Sequence, residues 1–119
     1  MKLIRILKDV ARQIREIEDE AIIALYENSD KETYILKLNL KTEMLAQLPQ
    51  MCAEASGDLT AEMQSFVRDR LGGISFSAGK ALQLNSIFYM SALLYPEDYQ
   101  EGDQNDLENF IEKLECLVC

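Results

Sequence analysis

The sequence predicts an all-α protein: a compact antiparallel bundle of four or five helices, forming one domain over residues 1–119. Three observations carry this reading. Apolar residues recur at helical spacing through the N-terminal quarter. Only five Gly and two Pro occur in 119 residues, too few for the turns of a β-sandwich or barrel. The stretch "ALQLNSIFYMSALLYP", residues 81–96, carries no charge, as a helix covered on most sides would. A chain of this length buries roughly two-thirds of the surface its unfolded form exposes, so a core forms without disulfides or metals.

The first helix is predicted over 3–27. Leu3, Leu7, Val10, Ile14, Ile17, Ala21 and Ala24 step by four and three and form one stripe at about 100° per residue. Such a heptad suits packing against another helix, in this chain or in a second copy. Its cations precede its acids, against the preference of the helix dipole, so packing or an acidic neighbour must compensate. Ser29 and Glu32 have the spacing of a capping box for a second helix. In "YILKLNLKTEMLAQL" Leu36, Leu38 and Leu40 alternate as in a strand. With no second strand to pair with, a helix is the better reading, bent or ended by Pro49. Asp58 or Thr60 caps a third helix bearing Leu59, Met63, Phe66, Val67 and Leu71, which Gly72-Gly73 is expected to break. The uncharged segment then forms a central helix that stops at Pro96. After an acidic loop, Asn105 and Glu108 cap the last helix, whose apolar face is Leu107, Phe110, Ile111, Leu114 and Leu117.

The formal net charge is −9, yet Lys2, Arg5, Lys8, Arg12 and Arg15 face only Asp9 within the first fifteen residues. The acidic bulk repels phosphate backbones, which argues against nucleic-acid binding. It suits solubility or a basic protein partner. No apolar run approaches the roughly 20 residues of a membrane span. Lys8 and Asp9 interrupt the place where a signal peptide keeps its apolar stretch. The expected location is therefore the cytoplasm, with three free thiols.

The chain ends in "CLVC", with Cys116 and Cys119 three apart. A structural zinc needs four ligands, and the chain offers no His and only Cys52 besides. A redox pair opens a helix, where the dipole lowers the thiol pKa; this pair closes one. Prenylation at Cys116 matches the form of the motif, but the preceding turns hold Glu108, Glu112, Lys113 and Glu115 rather than a basic cluster. The plain reading is a pair of small side chains beside a helix seam.

Glu16, Asp19 and Glu20 share one helix face, and Glu62 and Asp69 share another. Facing carboxylates of this kind hold magnesium in helical enzymes that act on phosphorylated substrates; on an amphipathic helix they are more often solvated. Without His, a histidine-assisted di-iron site is excluded. "GGISFSAGKA" misses the phosphate-loop spacing and has Ala81 where Ser or Thr would hold the metal. Counted from Asp98 or Asp103, the acidic loop lacks the glycine a calcium loop needs at its sixth position.

By elimination the expected function is non-enzymatic protein binding, as an adaptor, assembly chaperone or immunity-like inhibitor, with no cofactor. Self-association is expected through Leu3, Leu7, Val10 and Ile14 on the first helix and Ile87, Phe88 and Leu94 on the uncharged one. The alternative is a Mg²⁺-dependent hydrolase of a phosphorylated small molecule, with Glu16, Asp19, Glu20, Glu62 and Asp69 as ligands.

Overall fold

The computed structural model describes residues 2–118, and every regular element among them is helical. Four longer helices, α1 (Lys2–Tyr26), α2 (Lys31–Ala46), α4 (Ala61–Leu84) and α6 (Asp106–Val118), are joined by two short ones, α3 (Leu48–Cys52) and α5 (Ile87–Ala92). The all-α bundle is as the sequence predicts. The two short helices raise the number of helices among the described residues above the expected five.

The heptad of α1 is buried: Leu3, Leu7, Val10 and Ile14 have at most 1% of their surface exposed, and Ala21 and Ala24 follow. Ser29 takes a left-handed φ of 51°, which lets the Asp30 amide reach the Ala24 carbonyl at 2.7 Å and turns the chain back. Asp30, not Ser29, then caps α2, its carboxylate accepting from the Thr33 amide at 3.1 Å. Ser29 fails as a cap because it is occupied in closing α1. Glu20 pairs with Lys37 and Glu18 with Lys41, so residue numbers fall on α1 as they rise on α2, and the two helices run antiparallel. Lys8–Glu115 and Arg15–Glu108 give the same relation between α1 and α6. The basic start of α1 therefore meets the acidic α6 within the chain, which compensates its unfavourable charge order.

Pro49 sits in the first turn of α3, where its missing N–H costs nothing. Thr60 caps α4, accepting from the Met63 amide at 3.2 Å. Asn105 and Glu108 form the reciprocal box at the start of α6, each side chain accepting from the other's amide at 2.9 Å.

Two expectations are corrected. Gly72-Gly73 does not break α4, which runs on to Leu84. An interior glycine costs about 1 kcal/mol, and burial of Leu71, Ala78 and Ala81 on either side of the pair carries the helix through. The uncharged stretch is not one hidden helix. Asn85, left-handed at φ 50°, ends α4, and the Ser86 hydroxyl caps α5 by accepting from the Tyr89 amide at 3.1 Å. Ala81, Met90 and Leu94 are buried, but Phe88 is 74% exposed and Leu84 60%.

In space the long helices follow the order α6, α1, α2, α4. The packing α6 on α1, α1 on α2 and α2 on α4 is extensive. The ring does not close, because α4 and α6 touch little beyond Phe66, whose ring meets Phe110 with centroids 5.5 Å apart and the Lys113 ammonium at 5.7 Å. A principal core gathers residues from α1, α2, α3, α4 and α6. A smaller cluster of Leu38, Ala81 and Met90 seats α5 on α2 and α4.

An added Cβ at Gly72 or Gly79 meets nothing within 4 Å. Gly72→Ala and Gly79→Ala should each stabilise the fold by about 0.5–1 kcal/mol, read as a raised urea midpoint at unchanged slope.

Candidate functional site

Where the ring stays open lies a cleft of about 920 Å³. Its α4 wall includes Arg70, Gly73, Ser77, Lys80 and Leu84, which step by three and four as a heptad seam does, with Asp69 and Phe76 on one side and Ile74 and Ala81 on the other. The adjacent seam of the same helix, Leu71, Ile74, Ala78 and Ala81, packs into the protein. Thus α4 carries two neighbouring helix-packing seams and one is unused. Phe76 beside the open seam is 68% exposed, and Tyr89 from α5 is 53% exposed. The far wall is α6, through Asp106, Asn109, Phe110 and Lys113.

Three cations of this lining lie against aromatic rings. The Arg70 guanidinium and the Lys113 ammonium stand 5.8 and 5.7 Å from the Phe66 ring centre, and Lys80 stands 5.9 Å from that of Phe76. None of the three forms an ion pair among the described residues. Asp106 lies close enough to feel Arg70, but burial dominates and pushes its carboxyl above the ordinary value.

The end of the cleft is shaped by the turn after α5. Leu94 adopts a φ of 75°, unusual for a branched side chain, and its burial in the core holds it there. The turn aims Tyr95 into a polar cluster behind the cleft. The Tyr95 hydroxyl donates to Glu18 Oε1 at 2.5 Å, and Lys41 Nζ lies 2.9 Å from Glu18 Oε2. Lys41 is only 1% exposed; its ammonium also sits 5.1 Å from the Tyr95 ring centre and donates to the Ser91 carbonyl at 3.4 Å. Arg15 grips Glu108 with two nitrogens, at 2.7 and 3.1 Å, and donates to the Asp103 carbonyl at 3.1 Å. Its remaining nitrogen reaches the Tyr95 and Tyr99 hydroxyls at 3.4 and 3.5 Å.

Burial pushes the Lys41 ammonium below its usual pKa, and the Glu18 carboxylate opposes that shift. Burial first, and Glu18 second, push the Tyr95 phenol far up, so its proton stays on and is donated. Hydrogen bonding to Arg15 holds Glu108 below the ordinary carboxylate range. Asn105 Nδ2 is the only fully buried polar side-chain atom among the described residues with no hydrogen bond. With its charges paired and buried, the cluster is a tie between α1, α2, α6 and the 93–105 loop.

The carboxylates singled out from the sequence do not come together. Glu16 pairs with Arg12 and Glu20 with Lys37. Asp19 and Glu62 are exposed, while Asp69 lies on the rim of the cleft. Among the described residues no three His, Cys, Asp or Glu side chains are grouped to hold a metal. The proposed interface stripe is also used elsewhere: Leu3, Leu7, Val10 and Ile14 fill the chain's own core, as does Leu94. Ile87 is half-buried, and Phe88 alone of the seven projects fully. Cys116 is exposed on α6, whereas Cys119 lies outside the described residues. Cys52 is buried, which pushes its thiol up to about 11. Among the described residues no helix is long and apolar enough to cross a membrane.

No protein-family model matches this sequence, and neither a curated protein nor a solved structure is significantly similar to the chain.

Two outcomes test the cluster. Glu18→Leu leaves Lys41 buried without its partner and should cost about 3 kcal/mol, whereas the Glu18→Leu/Lys41→Leu pair should recover most of that loss. Chemical denaturation of the three proteins measures it. For Glu108 the lowered pKa fixes the sign: its contribution is present above the ordinary carboxylate range and is lost as pH falls through the lowered value. Wild type should therefore exceed Glu108→Gln by about 1 kcal/mol at neutral pH. A gap still undiminished at about pH 2.5, well below the ordinary Glu pKa, would show that the Arg15 pair is not its source.

Proposed function

We propose that this chain is a non-enzymatic protein-binding module, of the adaptor, chaperone or inhibitor kind, and that its docking surface is the cleft between α4 and α6. The occupant is one amphipathic helix, laid along the open seam of α4 as a further member of the incomplete ring.

One observation carries the reading: α4 presents a second seam at heptad spacing, in the open. From Arg70 to Leu84 that seam is about 21 Å long at 1.5 Å per residue, the length of four turns of a partner helix. Its middle is Gly73 and Ser77, small enough for backbones to approach. Phe76, Leu84 and Tyr89 offer aromatic and aliphatic surface that a helix about 10 Å across would cover. A thin ligand on the floor of the cleft would leave them in water.

The chain has no Trp, so a peptide with one Trp reports on the complex alone. The probe is an 18-residue helical peptide with Leu at heptad positions, Gln elsewhere and a central Trp. Its emission should shift to the blue on binding, with a dissociation constant in the micromolar range, about −8 kcal/mol. An added Cβ at Gly73 meets nothing within 4 Å, so Gly73→Leu should fold at least as stably while filling the seam and losing the peptide. Equal binding by Gly73→Leu, or no binding at millimolar protein, would refute the cleft as a docking surface.

A further inference from the structure

The rim of the cleft specifies the charge of what it binds. We infer that the partner helix is acidic along its flanks, with carboxylates that meet Arg70 and Lys113 at one end of the cleft and Lys80 at the other. This inference rests on the docking surface proposed above and adds the chemistry of its partner.

The chain has 21 acidic and 12 basic side chains. Five of the twelve cations form ion pairs among the described residues, and three of the others border one cleft. Each lies against an aromatic ring and forms no ion pair among the described residues. Cations so placed keep their charge directed outward while burying their stems. Asp69 and Asp106 share the lining with Arg70 and Lys113. The Lys80 end, bordered by Leu84, Tyr89 and Leu93, has no acid in the lining.

Spacing separates a helix from a single anionic headgroup. Arg70 and Lys80 are ten residues apart on one straight helix, about 15 Å. One carboxylate or phosphate cannot serve both, but carboxylates about three turns apart on a partner helix can. A nucleic-acid strand also carries spaced anions, but the acidic chain as a whole repels so dense a charge. The charge sense is opposite to that suggested by the acidic bulk. At about 0.15 M salt the Debye length is about 8 Å, so distant carboxylates are screened while contacts at the rim are not.

The experiment compares three versions of the Trp-bearing peptide, with Glu, Gln or Lys on the flanks, at 0.15 M salt. Wild type should bind the Glu peptide roughly fivefold more tightly than the Lys peptide. The variant Arg70→Gln/Lys80→Gln/Lys113→Gln should lose the preference and bind the Glu and Lys peptides alike; a preference kept in full by the variant would overturn the assignment to these three cations. If wild type binds all three peptides equally, the inferred acidity is wrong and the docking surface stands. If the Lys peptide is preferred, the partner is basic and the inference is overturned. If no peptide binds, both readings fall together. Sedimentation supplies the last arm: a wild-type dimer that Gly73→Leu converts to monomer would assign the cleft to a second copy instead.

Discussion

The bundle depends on one buried ionic tie. Lys41 lies in the apolar interior of an α2 face that otherwise reads Leu38, Thr42 and Leu45, and it is admitted only because Glu18 and the Tyr95 ring receive its charge. A charge buried without such partners would cost several kcal/mol. The partners come from different places in the sequence: Glu18 from α1, Tyr95 from the turn after α5, and Arg15 to join both to α6 through Glu108. Networks of this kind hold as a unit, because each member satisfies the next. The tie thereby fixes which helices are neighbours. It draws α6 and the 93–105 loop onto α1, away from α4.

The open cleft follows from that choice. A ring of four helices in which α6 closed on α4 would bury the Arg70–Leu84 seam. Here α6 is held by Arg15 and Lys8 on the other side, and the gap is bridged at one end, where Phe110 and Lys113 meet the Phe66 ring. The composition of α4 matches its exposure. The packed seam is Leu71, Ile74, Ala78 and Ala81, and the open one carries glycine, serine and cations. Three interior glycines with nothing near their Cβ positions weaken the helix and return no packing within this chain. Local rules broken without an internal gain are expected where a surface serves a partner rather than the fold.

The legible parts of the sequence were those in which one local signal was sufficient. The α1 heptad, the Thr60 cap and the Asn105–Glu108 box each stand where their spacing placed them. The misreadings came from signals that another contact overrides. Gly72-Gly73 looked like a helix end, but no left-handed residue follows until Asn85. Reading it as a break cut the 70–73–77–80–84 series in two and concealed the open seam. The absence of charge from 81–96 predicts burial, yet Phe88 and Leu84 face water. Hydropathy alone does not separate a covered helix from an exposed docking edge. Lys41 was visible in principle, since it falls on the stripe of Leu38, Thr42 and Leu45, but its partners Glu18 and Tyr95 are remote in sequence. The carboxylate faces of α1 and α4 are legible as faces from their spacing; nothing local shows that they do not meet.

An exposed aromatic cleft invites unspecific association, and the charge pattern bears directly on that hazard. Two copies each carrying −9 repel, which works against cleft-to-cleft dimers driven by Phe76 and Tyr89. The cations at the rim act over a shorter range, within the screening length. They reward a segment that brings carboxylates and apolar surface together at helical spacing, and they give nothing to a merely greasy one. Long-range repulsion with short-range attraction is a way to favour one kind of partner while discouraging collapse onto the same surface. On this view the acidic bulk and the basic rim are two parts of one arrangement. In the proposed reading the bulk keeps the open seam free, and the rim selects the helix that would close it.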